Sequence, residues 1–444
     1  MSLVDFEDAP FQRTHWKLAL GATTGYISDG YTLGVVGIAL AGAQVQLSLS
    51  PAWLGALGGG SLAGLLVGAL FSGPAADRFG RRPIFAYNML AFVALSLLQL
   101  AVSSAPQLLL IRFFLGVILG TDYVVVKALL AEFMPRLSRG RALSLMGIAW
   151  ALGYGLAYVA GFSLQDTHPE AWRFVLASSA IPALISLPLR LSAPESPLWL
   201  ALRGRRDEAQ RIIDTSLGFG YALPPALPAN TRQRTAAEPT WRELLSPRYR
   251  TATAVASTLY VCLVIPYFAV STFIPQVMDA LHVRGKGSAG LIYILGLMLG
   301  SIGGFVVVDW FPRRVFIIGS FALTSMALLI CATLSGLPDL IIVLAFVVFS
   351  CVLSAAQAQI YVYLPELFAT PVRASGLGIA VAVSRLGAAA GTALLPLCVV
   401  RYGVHVALQI CVAILMIGGL TCYRWAPETR HVRLAAEVLP EALR

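Results

Sequence analysis

Asp77-Arg78-Phe79-Gly80-Arg81-Arg82 returns 232 positions later as Asp309-Trp310-Phe311-Pro312-Arg313-Arg314. Recurrence at a fixed offset is hard to produce by composition alone, and it is the mark of a duplicated structural unit. Other pairs repeat at nearly the same spacing. Glu132 followed by Arg139 returns 234 positions on as Glu366 followed by Arg373, Pro194-Glu195-Ser196 returns 233 on as Pro427-Glu428-Thr429, and Gly64 with Gly68 returns 232 on as Gly296 with Gly300. The chain therefore reads as two parallel copies of one unit, the pattern expected of two helix bundles related by an axis along a membrane normal.

What surrounds the repeated motifs is strongly apolar. Hydrophobic residues make up 58% of the 444 positions and charged residues 12%, whereas a soluble domain carries about 25% charged residues. Runs of about twenty apolar residues, long enough to cross about 30 Å of hydrocarbon as helix, recur near 16–42, 52–72, 83–103, 107–133, 141–163 and 172–192, and again near 253–276, 287–308, 314–334, 339–363, 374–397 and 403–424. The expected fold is an all-α membrane protein of twelve transmembrane helices in two six-helix bundles. Its parts are an N-terminal bundle over 1–192, a polar and partly helical linker over 193–250, a C-terminal bundle over 251–426, and a tail over 427–444.

The net charge of +10 does not form a basic face of the kind that binds nucleic acid. Arg78, Arg81 and Arg82, then Arg136, Arg139 and Arg141, the arginines of the linker, Arg313, Arg314 and Arg373 all fall on one side of the predicted spans. Arg284, Lys286 and Arg401 are the exceptions on the other side. The positive-inside rule makes the arginine-rich side cytoplasmic and places both termini there. The six cysteines lie in apolar runs without C-x-x-C spacing, so neither a metal site nor a disulfide scaffold is expected. No nucleophile-and-base constellation or phosphate-cradling loop suggests an enzyme, and no cofactor is expected.

At the predicted cytoplasmic helix ends, Asp77, Glu132, Asp309 and Glu366 stand near Arg78, Arg81, Arg139, Arg313 and Arg373. Acidic partners that repeat with the arginines exceed what topology requires, and they suggest latches that break and reform as the halves rock. Within the spans the ionisable residues are few: Asp29, Arg112, Asp122, Lys127 and Arg385. Each is expensive in hydrocarbon, about 2.5–3.5 kcal/mol on insertion scales, so each is expected to line a cavity or to pair.

Asp29 near mid-membrane and Arg112 in the outer part of the fourth span are expected to meet, with loss of the arginine favouring the protonated acid, as a proton switch requires. At about 100° per residue, Lys127 shares a face with Arg112 while Asp122 does not. Lys127 either faces the cavity and attracts an anion or snorkels to the membrane edge, and Asp122 either carries protons or orients a neighbour. Arg385 has no acid in its own span and reads as the partner of a substrate carboxylate, or else of Asp29 or Asp122. Tyr154 and Tyr158 at i, i+4 with Trp150, Tyr260 and Tyr267 at i, i+7, and Gln357 and Tyr361 at i, i+4 complete an expected pocket.

The loop Gly73-Pro-Ala-Ala-Asp-Arg-Phe-Gly-Arg-Arg82, with Pro194-Glu-Ser-Pro-Leu-Trp-Leu200, Gly204-Arg-Arg-Asp-Glu-Ala209 and Pro427-Glu-Thr429, resembles the signatures of the major facilitator superfamily in its sugar-porter and metabolite:proton symporter branch. Asp29-Gly-Tyr-Thr-Leu-Gly34 is similar to the D-G-x-D stretch of aromatic-acid:proton symporters, with Thr32 in place of the second Asp. The resemblance implies a bacterial-type inner-membrane transporter in which Asp29 and Arg112-x-x-x-Gly116 couple protons, and in which Arg385, as in the similar organic anion transporters, contacts substrate. The favoured reading is a monomeric symporter that imports a small organic anion, an aromatic or pyridine carboxylate, with protons. Its rival is a sugar or polyol:proton symporter, ahead of a non-transporting sensor or a drug:proton antiporter.

Overall fold

The computed structural model describes residues 4–429 except 166, 224–243, 245, 248, 284–285, 308–309, 335–337 and 369–372. Its first half runs α1 (Arg13–Gln46), α2 (Pro51–Phe79), α3 (Arg81–Leu98), α4 (Ala105–Phe133), α5 (Arg136–Leu164) and a sixth span in two pieces, α6 (Ala171–Ala177) and α7 (Ala180–Leu191). Two short linker helices follow, α8 (Pro197–Leu202) and α9 (Arg206–Leu217). The second half runs α10 (Arg250–Thr272) with α11 (Ile274–Ala280), α12 (Lys286–Val307), α13 (Arg313–Thr333), α14 (Asp339–Glu366), α15 (Arg373–Tyr402) and α16 (Val404–Trp425).

Eleven of these spans are long and apolar enough to cross a bilayer. The twelfth, α1, has 34 residues, about 50 Å of helix at 1.5 Å per residue. It is less apolar because it buries Ser28, Asp29 and Thr32 inside the protein. Its partners show why small residues recur along the spans. A side chain at Gly64 or Gly68 of α2 would start 2.0 Å from the carbonyl oxygens of Phe113 and Val117 in α4. Gly116 and Gly120 of α4 face Ser61 and Leu65 of α2 in the same way, so the two backbones meet without intervening side chains.

The linker is more ordered around the first bundle than its composition suggests. Val4–Asp5 (β1) pairs in parallel with Tyr221–Ala222 (β2), Gln12 Nε2 donates to the Leu217 carbonyl at 3.0 Å, and Thr14 Oγ1 donates to that of Ser216 at 2.8 Å. Phe6, fully buried, pins this strap to the bundle. At the opposite end of the molecule the halves close on each other. There α15 packs along α2 and α12 along α5, and Gln276 Nε2 donates to the Gly37 carbonyl at 3.1 Å.

Candidate transport site

Two of the intramembrane cations face the space between the bundles. Lys127 of α4 is exposed, and its ammonium lies 5.9 Å from the ring of Tyr123, one turn earlier. It lies an equal 5.9 Å from the ring of Tyr361 in α14 of the other half. The ammonium thus lies between a ring of α4 and a ring of α14, one from each half of the chain. Arg385 of α15 is 8% exposed. Its Nη2 donates to Tyr260 Oη at 3.4 Å, its Nε has no partner among the described residues, and its guanidinium stands 5.8 Å from the Phe268 ring. Lys127 and Arg385 lie in each other's electrostatic field. Neither has an ion-pair partner among the described residues, so the structure does not form the alternative pairing of Arg385 with Asp29 or Asp122.

Aromatic and amide groups surround these cations. Gln357 Nε2 donates to Tyr260 Oη at 3.3 Å, and Tyr361 is 52% exposed. Trp150 stacks on Tyr154 at 5.3 Å and meets Tyr267 at 6.3 Å and Phe268 at 6.2 Å across the interface between halves. Its indole Nε1 has no hydrogen-bond partner among the described residues. Tyr158 packs elsewhere: a side chain at Gly290 of α12 would start 1.5 Å from its hydroxyl, so the ring serves the contact between bundles. Tyr123 and Phe268 were missed by sequence reading, although their spacing from Lys127 and Tyr260, at i−4 and i+8, carried the signal.

The acids are arranged differently from expectation. Arg112 is buried, but its Nη2 donates to the Thr32 carbonyl at 3.1 Å, while its Nε and Nη1 and both oxygens of Asp29 lack hydrogen-bond partners among the described residues. The expected Asp29–Arg112 pair is therefore absent among the described residues, because the arginine is aimed at the backbone one turn beyond the acid. Asp122 is held by Arg190 of α7, whose Nη1 and Nη2 reach its two oxygens, the second at 2.7 Å. Asn88 Nδ2 adds a third bond at 3.2 Å. Arg190 escaped the sequence reading because, two residues from the end of an apolar run, it resembles a topology-setting charge.

At the linker end, Arg81 Nη2 pairs with Glu132 at 3.0 Å, and Arg313 Nε lies 3.7 Å from Glu366. Each pair stays inside one bundle. Arg78 is exposed and lies over Phe79. Asp309 lies outside the described residues, as do the side chains of Asp77, Arg139 and Arg373.

The family described as Sugar (and other) transporter matches residues 18–437. The chain is 36% identical over 435 residues, 98% of its length and 96% of the relative's, to the inner membrane metabolite transport protein YgcS of Escherichia coli (strain K12). It is 28% identical over 404 residues, 87% of its length and 88% of the relative's, to the niacin transporter NiaP of Acinetobacter baylyi (strain ATCC 33305 / BD413 / ADP1). An inward open structure of the xylose transporter XylE from E. coli superposes with a TM-score of 0.81 at 19% identity, covering 97% of this chain and all of that one. At that identity the likeness bears on the fold.

Proposed function

This chain belongs to the sugar (and other) transporter family, as a multi-pass membrane transporter and not an enzyme, and we propose that it imports a small organic anion, an aromatic or pyridine carboxylate, together with protons by alternating access. The observation that carries this reading is the convergence of Lys127 and Arg385, one from each bundle, without a carboxylate to neutralise them among the described residues. The buried Arg385 charge is costly until an anion arrives, and Lys127 adds a second positive charge in its field. A carboxylate would accept from the Arg385 guanidinium and attract Lys127, while Tyr361, Tyr260, Phe268 and Trp150 would contact its ring. The resemblance to a niacin transporter fits this class, since niacin is a pyridine carboxylate.

In the same reading Asp29 carries the proton, and the arginine-rich linker end and both termini are cytoplasmic in a bacterial inner membrane. Arg81 with Glu132 and Arg313 with Glu366 brace the helix ends that open and close there. The test is uptake by proteoliposomes of the purified protein under an inward proton gradient, with nicotinate, benzoate, nicotinamide and xylose as probes. The acids should accumulate, and a protonophore should abolish the accumulation. Accumulation of xylose without the acids would overturn the anion reading in favour of sugar symport. Accumulation of an acid that ignores the proton gradient would overturn the coupling.

A further inference from the structure

We propose that Asp29 and Asp122 act as one unit that holds a single proton between two carboxyl groups, with Arg190 as its positioning residue and Arg112 outside it. The proposal deepens the proton-coupled reading and rests on it for its role in transport.

Arg190 is fully buried and its donors are committed. Besides the two bonds to Asp122, its Nε donates to the Gly21 carbonyl of α1 and to Ser186 Oγ, each at 3.1 Å. Its Nη1 also reaches the Phe85 carbonyl of α3 at 3.5 Å, and the guanidinium rests 4.5 Å from the Phe85 ring. One side chain thus ties α1, α3, α4 and α7 together. Helix α1 makes room for it at Gly25, where any Cβ would start 1.5 Å from Nη2. Asp29 is one turn further on the same face.

That turn brings the second acid to the first. Tyr26 of α1 stacks on Tyr123 of α4 at 5.4 Å, which places Asp29 and Asp122 beside this stack. The ionisable groups whose fields reach Asp29 are Asp122 and Arg190, with Tyr26 and Tyr123 flanking it. Asp29 is fully buried, and neither of its oxygens receives a hydrogen bond from a described donor. A bare carboxylate in that position would pay the full desolvation penalty for an ion. A carboxylic acid would not, and its O–H can donate to Asp122. The charge count agrees, since one guanidinium balances one of two carboxylates and a proton neutralises the other. Release, when water reaches the acid as the halves rock, breaks the Asp29 O–H bond and forms an O–H bond to that water, giving hydronium and leaving Asp29 as the carboxylate.

The test reads the proton directly, without substrate, by infrared titration of the carboxylic C=O band of the purified full-length protein. Wild type should show a buried protonated carboxyl at neutral pH that vanishes in Asp29→Asn. It should vanish also in Asp122→Asn, because Arg190 is then free to pair with an ionised Asp29. Arg190→Gln should move the pH at which the band titrates by about one unit or more, Arg190→Lys should restore it towards wild type, and Arg112→Gln should leave it in place. A band that persists in Asp122→Asn, or that moves with Arg112→Gln and not with Arg190→Gln, overturns the proposal. If Arg190→Gln does not fold, as judged by size-exclusion chromatography, the Asp122→Asn and Arg190→Lys results decide. If the infrared result stands but Asp29→Asn still accumulates nicotinate under a proton gradient, the coupling reading fails while the shared proton remains.

Discussion

Glu195 Oε1 accepts the backbone N–H of Arg81 at 3.0 Å, and it accepts that of Arg82 at 3.1 Å as well. A carboxylate from the linker therefore caps the start of α3, where the first N–H groups have no partner within the helix. The second half repeats the arrangement, with Glu428 accepting from Arg313 at 2.9 Å and Arg314 at 3.1 Å at the start of α13. The repeated Pro-Glu-Ser and Pro-Glu-Thr motifs are thus helix caps supplied from afar.

From this cap, Glu195→Ala is expected to destabilise the protein by about 1–2 kcal/mol, since it removes an anion and two accepted bonds from a helix N-terminus. Glu428→Ala should lose a similar amount. Thermal unfolding in detergent measures both, and an unchanged midpoint in either variant would show that the cap in that half contributes nothing.

Removing one member of the buried Arg190–Asp122 pair should be more severe. Arg190→Gln is expected to cost about 3–5 kcal/mol, because it strands the buried Asp122 carboxylate, and Asp122→Asn should cost less, because Arg190 can then pair with Asp29. The double variant should lose less than the sum of the two, and a strictly additive double-mutant cycle would show that the two side chains are not coupled.

The sign of the substrate is tested at Arg385. Arg385→Ala should weaken binding of a carboxylate by about 2–4 kcal/mol, with little change for the matching amide or alcohol. Arg385→Lys should recover part of the loss, since an ammonium lacks the planar two-donor edge. Calorimetric titration of nicotinate and nicotinamide on folded variants makes the comparison, and equal losses for both would remove Arg385 from the anion site.

His15, at the linker end of α1, offers a pH dependence outside the membrane. Its Nδ1 accepts the Gln12 backbone N–H at 3.0 Å, and its ring lies 5.8 Å from that of Phe133. Burial pulls the imidazole down to about 4. The folded state therefore favours the neutral ring. The stability this provides is complete above about pH 6.5 and is lost progressively as the pH falls towards 4. His15→Gln should flatten that part of the stability-against-pH curve, and an unchanged slope would place the effect elsewhere.

The twelve-span, two-bundle architecture was legible in the sequence because membrane crossing demands long apolar runs, and a duplicated unit leaves its motifs at one offset. Glu132 and Glu366, which recur at one offset with Arg139 and Arg373 in the sequence, stand beside Arg81 and Arg313 in the fold. The isolated charges inside the spans could also be named from sequence, since hydrocarbon tolerates so few.

Which charges meet was decided only in three dimensions. Asp29 and Arg112 share suitable depths, but depth along an axis says nothing of the rotation of one helix about another. The orientation that packs α2 on α4 through Gly64, Gly68, Gly116 and Gly120 directs Arg112 to the Thr32 carbonyl. Asp122 instead meets Arg190, an arginine 68 residues away that the sequence alone presents as an edge charge. Lys127 likewise had two permissible directions, and only the tertiary structure brings it to Tyr361 from the other half of the chain. Periodicity and hydropathy act within one helix, whereas pairing between helices depends on the packing of both, and that information is spread over every residue in their contact.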